Sequence, residues 1–98
     1  MFNYNKITKI LIIPFIFNDE LVDLPNDIEI IIFWDYFNQN VDNLPLNLTH
    51  LIFRFSFNQS IINMPKCIQY LSFPSTNPIK FNILISDTEV DIKFYEIN

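Results

Sequence analysis

The chain has 98 residues, half of them hydrophobic, with 11 Phe, no glycine and a formal net charge of −5. It is long enough for one small domain and too apolar to be disordered. Its basic residues, Lys6, Lys9, Arg54, Lys66, Lys80 and Lys93, are scattered, so there is no basic patch to displace counterions from nucleic acid or to dock on an anionic membrane.

Residues 7–17, Ile-Thr-Lys-Ile-Leu-Ile-Ile-Pro-Phe-Ile-Phe, form the first apolar run. The run is too short to span a bilayer. Asn18, Asp19 and Glu20 follow it in place of the small-residue cleavage site of a signal peptide. A recurring unit accounts for it better. Leu11, Ile13, Phe17, Asn18 and Leu21 are answered at a fixed offset by Ile31, Phe33, Phe37, Asn38 and Val41. Leu51, Phe53, Phe57, Asn58 and Ile61 then repeat the series. A fixed period of about 20 residues marks a solenoid, a stack of short similar coils. The register divides the chain into coils 4–23, 24–43, 44–63 and 64–81.

Coils two and three open with Leu24-Pro25 and Leu44-Pro45, and coil four with Met64-Pro65. Proline cannot donate to a ladder, so it marks the approach to a strand and not its interior. The run that follows each proline is rich in Ile, Leu and Phe, the composition of a strand. A coil of about 20 residues leaves room for a strand of about six and an irregular or 3₁₀ return. Successive strands should run parallel, joined by right-handed returns. Since glycine is absent, left-handed backbone positions are expected to fall on Asn or Asp. Coil four shortens after Phe73. Residues 81–86 and 89–95 then read as two strands around an Asp87-Thr88 turn. This hairpin is the expected C-terminal cap, spanning 82–98, and would keep the open parallel edge from pairing with other chains.

The pattern Leu-Pro-x-x-Leu-x-x-Leu-x-Phe followed by Phe-Asn-Gln-x-Ile is clearest at Leu44–Phe53 and Phe57–Ile61. It resembles the FNIP repeat, a relative of the leucine-rich repeat. The resemblance spans residues 4–81 and rests on the Phe-Asn pairs at 17–18, 37–38 and 57–58 and on the three Leu/Met-Pro pairs. The chain departs from the family pattern in lacking the glycines usual at the strand exit and before Leu-Pro. It also has Asn40 and Ser60 where a proline is usual. The resemblance implies a repeat protein of the kind found in social amoebae and in the giant viruses that infect amoebae. Many relatives join such repeats to an F-box, which would make them substrate receptors of a ubiquitin ligase. Repeat material here begins by residue 7, so a ligase role would be expected to rest with a partner or a longer relative.

His50 and Cys67 are the only His and Cys and stand at different positions of the repeat. No nucleophile–base pair is expected from them, and two such ligands are too few for a zinc site. A single cysteine permits no internal disulfide, which suits a reducing compartment. A glycine-rich phosphate loop requires glycine. The expectation is a protein that is not an enzyme and takes no cofactor and no metal, in the cytoplasm of a host cell. Asn47-Leu48-Thr49 and Asn58-Gln59-Ser60 match the glycosylation acceptor pattern, which is idle without secretion. The column Asn18, Asn38, Asn58 reads as structural, its side chains bonding backbone groups of the adjacent coil.

Side chains alternate along a strand. If Leu51 and Phe53 point into the coil, then His50, Ile52 and Arg54 point out. The same columns hold Ile10, Ile12 and Pro14, then Ile30, Ile32 and Trp34, then Tyr70, Ser72 and Pro74. An apolar stripe of Ile12, Ile32 and Ile52 beside Trp, Tyr and Arg has the composition of an interface. The candidate partner-binding residues are therefore Ile32, Trp34, His50, Ile52, Arg54 and Tyr70. Leu24, Pro25, Leu44, Pro45, Leu51, Phe53, Phe57 and Asn58 are expected to hold the frame. The fold expected is mostly β, a short leucine-rich-repeat-like parallel β-solenoid with a C-terminal hairpin cap, in a single domain over residues 1–98. The function expected is protein–protein recognition through the outward sheet face, as an adaptor or substrate-recognition element if the link to ubiquitination of F-box-bearing relatives extends to it. The alternative is a structural or assembly protein that self-associates through the same face, for instance as a homodimer.

Overall fold

The computed structural model describes residues 3–59, 64–74 and 91–95. They form one six-stranded sheet whose spatial order is the chain order: β1 (Asn3–Asn5), β2 (Ile10–Ile13), β3 (Ile30–Phe33), β4 (His50–Phe53), β5 (Tyr70–Pro74) and β6 (Asp91–Tyr95). Strand is the only regular secondary structure among the described residues. β1 pairs antiparallel with β2, and every later neighbour is parallel. The register follows the sequence period. Ile10 pairs with Ile30, Ile30 with His50 and His50 with Tyr70, and the Leu11, Ile31, Leu51, Leu71 row runs beside them.

In-register parallel pairing sets each residue against its own equivalent, and the core is built from these like-on-like columns. Leu11, Ile31, Leu51 and Leu71 are fully buried, as are Ile13, Phe33, Phe53 and Phe73 in the next inward column. The return arms add Phe37 and Phe57, also buried. Phe33 lies on Phe53 with ring centroids 4.8 Å apart and planes 6° from parallel, and Phe53 lies on Phe73 at 5.6 Å. A second stack, Phe17, Phe37 and Phe57, runs alongside at 6.3 Å per step. The two stacks touch within each coil, Phe33 to Phe37 at 4.3 Å and Phe53 to Phe57 at 3.8 Å. Each offset aromatic pair adds about 0.5–1.5 kcal/mol beyond area burial.

The absence of glycine is handled differently from the expectation. The strands leave the sheet through turns closed by Phe17 N–H to the Pro14 carbonyl, Phe37 N–H to Trp34 and Phe57 N–H to Arg54, at 3.0, 3.4 and 3.4 Å. The approach turns are closed in the same way, Leu48 N–H to Pro45 and Ile68 N–H to Pro65. None of these residues has positive φ, which is the type I kind of turn that accepts most side chains. Among the described residues only Lys9 (φ 61°) and Asp23 (φ 54°) are left-handed. One of the two is thus a lysine, neither Asn nor Asp. It closes the β1–β2 hairpin, where Lys9 N–H donates to the Asn5 carbonyl at 2.8 Å and the Asn5 side chain caps the N–H groups of Ile7 and Thr8. Loop geometry overrides residue preference there, at a cost of about 1 kcal/mol.

The asparagines at the return arms act through their side chains. Asn18 Oδ1 accepts from the Asn38 N–H at 2.8 Å, and Asn38 Oδ1 accepts from the Asn58 N–H at 2.9 Å. Gln39 Nε2 and Gln59 Nε2 donate to the same two oxygens at 3.0 and 3.1 Å. The column is a ladder that ties coil to coil on the side away from the sheet.

The two ends differ. At the N-terminal end, β1 closes the edge of β2, and the Tyr4 hydroxyl donates to Asp27 Oδ1 at 2.7 Å. At the other end, the second arm of the expected cap is a strand over Asp91–Tyr95. It adds to the sheet as a further parallel neighbour of β5, pairing Leu71 with Ile92 and Phe73 with Phe94. The expected first arm, 81–86, and its turn lie outside the described residues.

Two outcomes follow. Asn38→Ala removes an acceptor used by both Asn58 N–H and Gln59, and is expected to cost about 1–2 kcal/mol in chemical denaturation. Partial burial and the hydrogen bond to Asp27 push the Tyr4 phenol up from 10.0 to about 12. Its protonated form is therefore favoured by the folded chain, so this contribution to stability is complete below pH 10 and lost as pH rises through 12. A spectrophotometric titration should show one tyrosine ionising late, and Tyr4→Phe should remove that phase.

Candidate functional site

The alternation that sends one side of each strand into the core turns the other side out. In β2, β3 and β4 burial alternates between half-buried and buried residues. Ile10, Ile12, Ile30, Ile32, His50 and Ile52 are the half-buried set, and Tyr70 continues it in β5. Parallel register lines up Ile12, Ile32 and Ile52 in one row and Ile30, His50 and Tyr70 in another. Ser72 departs from the expected outward column, with only 8% of its surface accessible. A serine side chain is short enough to be shaded by taller neighbours such as Ile52, its register partner. The side chain of Pro74, expected in the third column, lies outside the described residues.

The six residues singled out from sequence are brought together. Ile32 and Ile52 are register partners, as are His50 and Tyr70. The His50 and Tyr70 rings are 5.7 Å apart and near parallel. The Thr49 hydroxyl, 3.1 Å from the Glu29 carbonyl and 2.8 Å from His50 Nδ1, has one proton. With that proton directed to Glu29, the imidazole donates through Nδ1 and presents Nε2 as an acceptor. Trp34 and Arg54 occupy equivalent positions just past β3 and β4. The Arg54 guanidinium carbon stands 4.7 Å from the Trp34 ring centroid and 5.4 Å from that of Phe55. Arg54 Nε is enclosed and has no hydrogen-bond partner, and the same holds for Asp35 Oδ1.

Sequence reasoning missed the rim of this face. Phe15, Ile16, Tyr36 and Phe55 are exposed, Ile16 by 73%, and Phe15 and Tyr36 meet at 5.3 Å. They occupy the two central positions of the exit turns, where the period-two rule stops applying. The available signal was the presence of large apolar residues at positions where turns normally carry small polar ones.

Cys67 is exposed in the Pro65–Ile68 turn, while His50 lies on the sheet face. Among the described residues no cluster of three His, Cys, Asp or Glu side chains could hold a metal ion, and no helix is long and apolar enough to cross a membrane.

The FNIP repeat family model matches residues 17–56. Over those residues the chain is similar to the FNIP repeat. The matched segment begins at the first Phe-Asn pair and ends just before the third, so it holds β3, β4 and the central part of the outward face. No curated protein and no solved structure gives a significant match.

The assignment of faces has a direct check. Ile52→Lys should leave the melting temperature within a few degrees of the parent, because its side chain projects outward. Leu51→Ala, one residue earlier, should cost about 2–5 kcal/mol.

Proposed function

We propose that this chain is a protein-recognition module. Its frame is a parallel β-solenoid with coils of about 20 residues, and its contact surface is the outward sheet face. The observation that carries the proposal is the apolar row Ile12, Ile32 and Ile52 on that face. Outward positions of a sheet that meets only water are normally polar. Isoleucine there adds nothing to the core, which the Leu and Phe columns already fill. Around the row stand Trp34, Tyr70, His50 and Arg54, the amphipathic side chains that dominate binding energy at protein interfaces. The frame residues and the contact residues alternate along the same strands, so the face can vary without disturbing the stack. Any link to ubiquitination would be supplied by what binds this face or by what carries it.

Light scattering after size exclusion, on the parent chain and on Ile32→Lys, tests the reading, followed by affinity capture with Trp34→Ala as a control. A monomer that captures a protein, with capture lost in both variants, is the expected result. A defined oligomer that Ile32→Lys converts to a folded monomer would assign the face to self-association. Capture that survives both substitutions would overturn the reading.

A further inference from the structure

Among the described side chains of β2 to β5 on this face, charge is found at one point. Of the described outward side chains, Ile10, Ile12, Ile30, Ile32, Trp34, His50, Ile52, Arg54, Tyr70 and Ser72, only Arg54 is formally charged at neutral pH. Among the described residues it makes no ion pair. Its stem side is closed in, since Nε has no accessible surface and no acceptor while Trp34 and Phe55 flank the guanidinium. The two Nη groups neither bond to the described residues nor stand among the enclosed, unpartnered atoms as Nε does, so they reach the surface. The nearby carboxylate does not neutralise them. Asp35 lies past Phe33 in the inward parity and enters the exit turn, where its backbone carbonyl accepts from Ser56 N–H at 3.1 Å.

A guanidinium fixed between two rings has already lost most of its conformational freedom, and its outer edge is a planar fork suited to a carboxylate. A flanking ring also keeps water from one side, which strengthens a charge-assisted hydrogen bond. We propose that the segment recognised by this face carries an acidic side chain, Asp or Glu, set against Arg54, with an apolar side chain beside it on Ile32 and Ile52. The proposal rests on the face being the binding surface and adds the chemistry of what it binds. The pairing is local. The net charge of −5 repels an acidic partner at a distance, so discrimination lies in the rate of dissociation and not in steering.

The test uses a random linear peptide library displayed on phage and selected on the intact chain. Enriched peptides are synthesised and titrated against the parent, Ile32→Lys, Arg54→Gln and Arg54→Lys, each first shown to melt cooperatively, with Trp34 emission as the readout. The expected result is enrichment of Asp or Glu next to an apolar residue, binding abolished by Ile32→Lys, and weakening of about tenfold or more by Arg54→Gln. Arg54→Lys should fall between, because it keeps the charge and loses the fork. Peptides that need Ile32 but show no acidic enrichment and no loss with Arg54→Gln would overturn this inference while leaving the face as the binding surface. Peptides indifferent to Ile32→Lys would overturn both.

Discussion

The structure depends on one constraint: the strand of each coil pairs with the next in parallel and in register with the sequence period. Ile30 faces both Ile10 and His50, and Phe53 lies between Phe33 and Phe73. Under that constraint every column of the stack is made of equivalent residues. Columns that stack well are filled by Phe and Leu inside and by Asn at the return arm. The two aromatic stacks and the Asn18–Asn38–Asn58 ladder are therefore consequences of register. They hold opposite sides of the coil, the phenylalanines by burial and the asparagines by satisfying backbone N–H groups that no strand partner reaches.

The same constraint decides which turns are possible. The chain between successive parallel strands must reverse direction several times without glycine. Type I turns do so with φ negative throughout, and each is closed by a single backbone hydrogen bond. Their two central residues then necessarily splay away from the core. That is why Phe15, Ile16, Tyr36 and Phe55 stand exposed along one rim. The open edge of the first coil is closed by β1, which runs against the direction of the stack and is anchored by Tyr4 on Asp27. An antiparallel strand occupies the pairing edge that a further coil would need.

Frame and face are separated by one residue in sequence and by the thickness of the sheet in space. Leu51 and Phe53 belong to the core, and His50, Ile52 and Arg54 to the surface. The proposed recognition role draws on that separation. The stack supplies a rigid platform, so the outward side chains lose little freedom on contact, and Arg54 is further restrained by Trp34 and Phe55.

The period, the strand positions, the two faces and the asparagine column were all legible in the amino-acid order. The reason is that in-register stacking converts a sequence repeat directly into spatial columns. The outward placement of Ile32, His50, Ile52 and Tyr70 was legible for the same reason, because alternation along a strand is a local property. Outside the repeat, 89–95 was legible as a strand but its place in the sheet was not, and the strand at the N-terminal end was not legible at all. Residues 3–5 carry no copy of the motif, and only the edge left open by β2 turns them into a strand. The parallel placement of Asp91–Tyr95 beside β5 depends on a distant partner. Lys9 takes a left-handed conformation because a four-residue hairpin loop demands it at that position, whatever residue is there. The enclosed stem of Arg54 needs three side chains from two coils to be in place at once. Sequence alone determined what repeats, since repetition is read by nearest neighbours. Tertiary structure decided the ends, the rim and the setting of Arg54, since each of these is fixed by contacts between residues that the period does not relate.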